Sequence, residues 1–230
     1  MSVTTVPAPA GTHARQNASP LAAVEKRLLV WIAQRLPRAI GSDHLTLLGL
    51  LSMLGVGLAF AASSRDSHVL YLVPVLLALN WFGDSLDGTV ARVRNRQRPR
   101  YGYYVDHVVD IVGAVALFTG LALSGGMNPM LAMALLVAYL AAMAEVFLAT
   151  HVTRVFRLAS FGFGPTELRI VLAAGALALV GRPTVDVPGV GRVALFDVGG
   201  VIATAGIVCA FMFSAVRTAL ALAREERIAP

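Results

Sequence analysis

Residues 80–110, NWFGDSLDGTVARVRNRQRPRYGYYVDHVVD, decide how the rest of the chain is read. They hold Asp84, Asp87, Asp106 and Asp110, four of the thirteen acidic residues, within a sequence that is otherwise strongly apolar. Carboxylates at membrane depth are expensive and call for a partner that offsets their desolvation. The stretch is therefore the candidate site.

Working outward, the chain of 230 residues is 57% hydrophobic and only 14% charged. Several apolar runs reach the roughly 20 residues that a helix needs to cross the ~30 Å hydrocarbon layer. The expected fold is an all-α integral membrane protein, a bundle of six transmembrane helices preceded by an N-terminal interfacial amphipathic helix. The spans fall at about 44–62, 69–94, 101–124, 130–155, 165–180 and 196–221. As domains, 1–20 reads as a disordered Pro/Ala/Ser/Thr-rich tail, 21–38 as the interfacial helix and 43–224 as the membrane bundle. In the interfacial helix Leu21, Val24, Leu28, Ile32 and Leu36 keep helical spacing, with Trp31 and basic residues beside them. Ser42 and Asp43 are the expected caps of the first span, and residues 182–192 read as a loop. No internal repeat is visible.

The net charge is +6, and eighteen of the nineteen basic residues are arginine. They lie mostly between apolar spans, where topology and anionic headgroups explain them; nucleic acid is not an expected partner. Lys26, Arg27, Arg35, Arg38, the arginines of 94–100, Arg154, Arg157, Arg224 and Arg227 fall on one side of a six-span layout. Arg65, Arg182 and Arg192 fall on the other, with Asp66, Asp186 and Asp197. The basic side is the cytoplasmic one, so a multi-pass protein of the cell membrane is expected, with both termini and the acidic stretch inside. The single Cys209 excludes an intramolecular disulfide and reads as a buried small residue.

Positions three and four apart share a helix face. Asp84, Asp87, Gly88 and Ala91 form one stripe, and Gly102, Asp106 and Asp110 another, on two helices that the arginine loop would join as an antiparallel pair. Converging carboxylates with oxygen-only donors suit one or two hard divalent ions, Mg²⁺ or Mn²⁺. Gly88, Ala91 and Gly102 leave room at the backbone, and Arg92 offers a fork for phosphate. Metal-dependent diphosphate chemistry is the reading; a cation-coupled transporter is the alternative, although such proteins commonly show repeated halves.

The pattern Asp84-x-x-Asp87-Gly88-x-x-Ala91-Arg92, nine residues, then Gly102-x-x-x-Asp106-x-x-x-Asp110 resembles the signature of the CDP-alcohol phosphotransferase family, class I. The resemblance implies transfer of a substituted phosphate from a CDP-linked donor, most simply CDP-diacylglycerol, to the hydroxyl of a polar alcohol, with CMP released in phospholipid synthesis. It assigns Asp84, Asp87, Asp106 and Asp110 to metal, Asp110 as general base, and Asp87, Gly88, Ala91, Arg92 and Gly102 to the CDP group. It also implies membrane lipids as neighbours and a homodimer. Residues 161–169, FGFGPTELR, open the fifth span; Glu167 and Arg169, with Arg154 and Arg157, would shape an acceptor pocket. The run Gly164-Pro165-Thr166-Glu167 and the pair Asp106-His107 also look like the enzymes that carry CDP-choline or CDP-ethanolamine to diacylglycerol, so the acceptor stays open.

Overall fold

The computed structural model describes residues 20–153 and 165–226. Among them the chain forms α1 (Pro20–Arg35), α2 (Ser42–Ala62), α3 (Leu72–Val93) after a 3₁₀ turn (Ser67–Tyr71), and α4 (Pro99–Leu123). Then follow α5 (Pro129–Thr153), α6 (Pro165–Gly181), the antiparallel strands β1 (Thr184–Val187) and β2 (Gly191–Ala194), and α7 (Leu195–Glu225). The chain is thus an all-α membrane protein carrying one small hairpin. Five helices are long and apolar enough to cross a membrane: α2, α3 with its 3₁₀ turn, α4, α5 and α7. The expected fifth span, α6, has 17 residues, about 25 Å at 1.5 Å per residue, short of the hydrocarbon thickness. The tail at 1–19 and the residues 154–164 lie outside the described residues.

The centre of the bundle is α2. Its neighbours are α3 on one side and α4 on the other, so these two helices pack on α2 rather than chiefly on each other. This corrects the expected antiparallel pair. Small residues explain it, because bundles in lipid close where backbones can touch. A Cβ on Gly83 of α3 would come within 2.5 Å of the Leu45 carbonyl and 2.7 Å of the Gly49 nitrogen. On the other flank Gly57 of α2 meets Gly120 and the Ala116 carbonyl of α4 backbone to backbone. The main core, with Val56, Phe60, Val73, Leu77, Leu117 and Leu121, fills the space around these contacts.

A second cluster docks α1 at one end. Leu29 and Ala33 are buried against Leu45, Leu86 and Val90, while Leu28 and Trp31 stand out exposed. Ile32 and Leu36 of the apolar stripe pack against the same cluster, while Leu28 of that stripe stands exposed. The indole of Trp81 donates to Glu25 Oε1 at 2.7 Å, and Arg94 donates to the carbonyls of Leu36, Pro37 and Ile40 that end α1. Arg98 pairs with Asp43. That pairing leaves Asp43 out of the cap; the N-cap of α2 is Gly41, whose N–H donates to His44 Nδ1 at 3.2 Å.

The opposite end is tied by other means. Asp197 Oδ1 accepts from the Asn128 N–H at 2.6 Å, and the Asn128 side chain caps α5 by accepting from Met130 N–H. Residues 182–192, expected as plain loop, build the hairpin, with Val187 opposite Gly191 and turn glycines at positive φ, Gly189 and Gly191. Cys209 is exposed on α7 rather than buried, since α7 presents most of its apolar surface outward.

Candidate active site

The acids sit on α3 and α4 near the end of the bundle that also holds α1 and the 94–100 arginines. Leu86, Thr89 and Val90 bury one face of α3, which leaves Asp84 and Asp87 on an adjoining, half-buried face. On α4, Asp106 is half-buried and Asp110 open to its surroundings. Asp110 lies within electrostatic range of Asp106, Asp84, Asp87 and Arg169, and Asp87 within range of Asp106 and Asp84. The four predicted carboxylates thus gather in one region of α3 and α4, within electrostatic range of one another.

Two of them have partners from other helices. Asp87 accepts at Oδ2 from the Thr46 hydroxyl of α2 at 2.7 Å and at Oδ1 from the Gly88 N–H at 2.5 Å. Thr46 Oγ1 is also 3.1 Å from the Ser42 carbonyl. A hydroxyl has one proton to give, and the nearer, charged acceptor takes it. Asp84 Oδ2 accepts from Arg169 Nη2 of α6 at 2.6 Å, while Arg169 Nε donates to Asn80 Oδ1 at 2.8 Å. Asn80 is buried and donates its amide to the Gly49 carbonyl at 2.9 Å. A hydrogen-bonded line therefore runs from α2 through Asn80 and Arg169 to Asp84.

The residues expected around a nucleotide occupy the same region. Gly88 faces the Arg92 guanidinium, 3.2 Å from where a Cβ would be, and Arg92 Nη2 donates to Thr89 Oγ1 at 2.9 Å. Ala91 is half-buried beside them. Gly102 has nothing within 4 Å of a would-be Cβ, so its face is open. Of the acceptor group, Arg169 reaches the acids and Glu167, two residues earlier on α6, is half-buried. Arg154 and Arg157 lie outside the described residues.

The residues 42–216 match a family model described as CDP-alcohol phosphatidyltransferase. That stretch spans α2 to most of α7 and contains every one of the four aspartates, the CDP-site candidates and Arg169. The chain belongs to the CDP-alcohol phosphatidyltransferase family. Comparison with curated proteins finds no match. As a CDP-alcohol phosphatidyltransferase, the chain is a multi-pass membrane enzyme that transfers a substituted phosphate from a CDP-alcohol to an alcohol in lipid synthesis.

A divalent cation is the group this family generally uses, and the donor chemistry fits it: four carboxylates, all oxygen, gathered in one region. Among the described residues, no three of them are gathered to ligating distance. Asp84 is engaged by Arg169, and Asp87 by Thr46 and Gly88.

Sequence reading missed two residues, Thr46 and Tyr139, and the contact that Arg169 makes. Thr46 is 41 residues from Asp87, in a run with no acidic or basic signal. The bond between Arg169 and Asp84 spans 85 residues, and only the depth of both in their helices hinted at it. Tyr139 of α5 falls within electrostatic range of Asp110, Arg169 and Asp84, its ring 6.0 Å from Phe118; a tyrosine in an apolar helix gives no signal of its own.

His107 lies between the rings of Tyr103 and Phe147, with Nδ1 at the Tyr103 carbonyl. Glu145 accepts from Ser214 of α7 at 2.9 Å.

Proposed function

We propose that this enzyme is metal-dependent and transfers a phosphatidyl group from CDP-diacylglycerol to the hydroxyl of a polar alcohol, releasing CMP. The observation that carries the reading is the gathering of four carboxylates from two helices within electrostatic range of one another, with Arg169 bonded to one of them. Asp84, Asp87 and Asp106 would hold one or two Mg²⁺ or Mn²⁺ ions, with Asp110 completing the set. When bound, the cation neutralises the diphosphate and the departing CMP.

The chain's own residues do the rest. Thr46 fixes the rotamer of Asp87 so that its carboxylate faces the cleft. Gly88, Ala91, Arg92 and Gly102 line the CDP group, the glycines because a side chain would fill the space that the nucleotide needs. Asp110 accepts the proton of the acceptor hydroxyl as that oxygen bonds to the phosphorus farther from cytidine. The bond from that phosphorus to the bridging oxygen breaks, and the electron pair leaves with CMP. Glu167 and Arg169, together with Arg154 and Arg157, form the acceptor side of the cleft.

The cleft is proposed to open to the cytoplasm, with both termini inside the cell membrane. Support comes from charge: Arg94, Arg96, Arg98 and Arg100 crowd its end of the bundle, and the opposite end carries Arg65 with Asp66 and the hairpin. The exposed Leu28 and Trp31 of α1, flanked by Lys26, Arg27 and Arg35, suit the interface between headgroups and tails. The homodimer is part of the proposal on the family resemblance, and cross-linking in native membranes tests it.

The deciding experiment is CMP release by the purified protein with and without Mg²⁺ or Mn²⁺. CDP-diacylglycerol is supplied with a panel of polar alcohols, and CDP-choline and CDP-ethanolamine with diacylglycerol run beside it. Release with CDP-diacylglycerol that stops on adding EDTA is the expected result. Release confined to the CDP-choline or CDP-ethanolamine arm would replace the donor, and metal-independent release would overturn the role given to the acids.

A further inference from the structure

We propose that Arg169 is the internal counter-ion of the acidic cleft: it holds Asp84 while no divalent cation does, and yields that carboxylate when a cation arrives. The inference rests on the metal reading given under Proposed function and adds a competitor that the reading lacks. Its grounds are geometric. The Arg169 guanidinium reaches Asp84 from a third helix and is largely buried, with 16% of its side chain exposed. Its second anchor, Asn80, is itself tied to the α2 backbone.

The placement runs against local preference. Arg169 lies four residues after the start of α6, near the positive end of the helix dipole, where an acid such as Glu167 is the favoured charge. Something other than α6 keeps it there, and Asp84 at 2.6 Å is the group that does. A cluster of carboxylates without counter-charge would repel itself in this low-dielectric setting. The guanidinium relieves that repulsion at one corner.

A divalent ion held by Asp84, Asp87, Asp106 and Asp110 would relieve it more fully, and two cations on one carboxylate repel each other. Binding of the ion and release of Arg169 are then one event. Linkage makes the relation reciprocal: whatever loosens Arg169 from Asp84 tightens the ion. A further consequence is order. The arginine fork becomes available to a phosphate in the cleft only after the ion is in place.

The test is Mn²⁺ binding to the full chain in detergent micelles, read from the loss of the free-ion paramagnetic resonance signal, for wild type, Arg169→Gln and Arg169→Lys. Thermal unfolding of the same samples is followed in EDTA and in Mn²⁺. Arg169→Gln is expected to bind Mn²⁺ more tightly than wild type by a factor of about 5 or more, the low end of ordinary coupling between sites. It should also unfold at a lower temperature in EDTA and gain more from Mn²⁺ than wild type does. Should Arg169→Gln fail to fold, Arg169→Lys decides: a lysine lacks the rigid fork that holds Asn80 and Asp84 through two separate nitrogens, so Mn²⁺ should still bind more tightly. Equal affinities in wild type and variant would overturn the inference while leaving the metal reading in place. Absence of Mn²⁺ binding in every protein would overturn both.

Discussion

Thr46 of α2 hands its one hydroxyl proton to Asp87 of α3 across 2.7 Å, which joins a helix without any acidic-site signature to the centre of that site. The bond is charge-assisted, and such bonds contribute about 1.5–3 kcal/mol. Thr46→Val keeps the shape and removes the donor, so Asp87 is left with the Gly88 N–H alone. CMP release should fall about tenfold, matching the lower figure at ~1.4 kcal/mol per decade, and Thr46→Ser should recover most of it. A Val variant with wild-type turnover would show that the hydroxyl does not orient the carboxylate.

Asp110 is open to its surroundings, unlike the half-buried acids beside it. Replacing it by Asn keeps the side chain's size and removes one charge from a group of like charges, so the fold should be retained. Loss of a general base is worth about 10²–10⁴ in rate. Asp110→Asn should release CMP at least about a hundredfold more slowly while melting like wild type. An active Asn variant would remove Asp110 from the role of base.

Two glycines offer opposite outcomes. Ala at Gly83 would press its methyl on the Leu45 carbonyl and the Gly49 nitrogen, both backbone atoms that cannot swing aside. Overpacking of this kind costs about 1–3 kcal/mol, and since Asp84 follows directly in sequence, activity should fall with stability. Ala at Gly102 meets open space and removes a helix-interior glycine, a gain of about 0.5–1 kcal/mol. Gly102→Ala should therefore melt higher than wild type yet turn over more slowly, because the methyl enters the space proposed for the nucleotide. Thermal unfolding and CMP release measured on both variants separate the two effects.

The bond from the Trp81 indole to Glu25 Oε1 is a cross-link between α1 and the acid-bearing α3. Trp81→Phe removes the donor at a cost of about 1 kcal/mol. Amide hydrogen exchange over residues 25–35 should accelerate while that of α2 stays unchanged. Equal exchange in both proteins would mean that Leu29 and Ala33 alone hold α1.

Much of this was legible in the sequence because its signals are local. Four aspartates at helical spacing share faces wherever the helices go, and apolar runs of membrane length end where prolines, glycines and arginines put them. Contacts between distant segments were less so. The sequence contains Arg169 and Asp84 but not the way α6 leans on α3, and it gives no reason to prefer Thr46 over other hydroxyls. Which residues of α1 pack on the bundle was not legible because Leu28 and Leu29 are equally apolar; only the partners, Leu45, Leu86 and Val90, distinguish them. The expected pairing of α3 with α4 overlooked that glycines at 49, 57 and 83 let α2 approach both.

That arrangement makes α2 the gauge of the reaction. The two rows of acids are spaced not by each other but by the thickness of the helix that each rests upon, set at Gly49 and Gly83 on one side and at Gly57 and Gly120 on the other. A change of one methyl on α2 alters the distance across which a diphosphate must reach, without touching an acid. Relatives that accept bulkier or slimmer substrates could differ first on a helix that carries none of the chemistry.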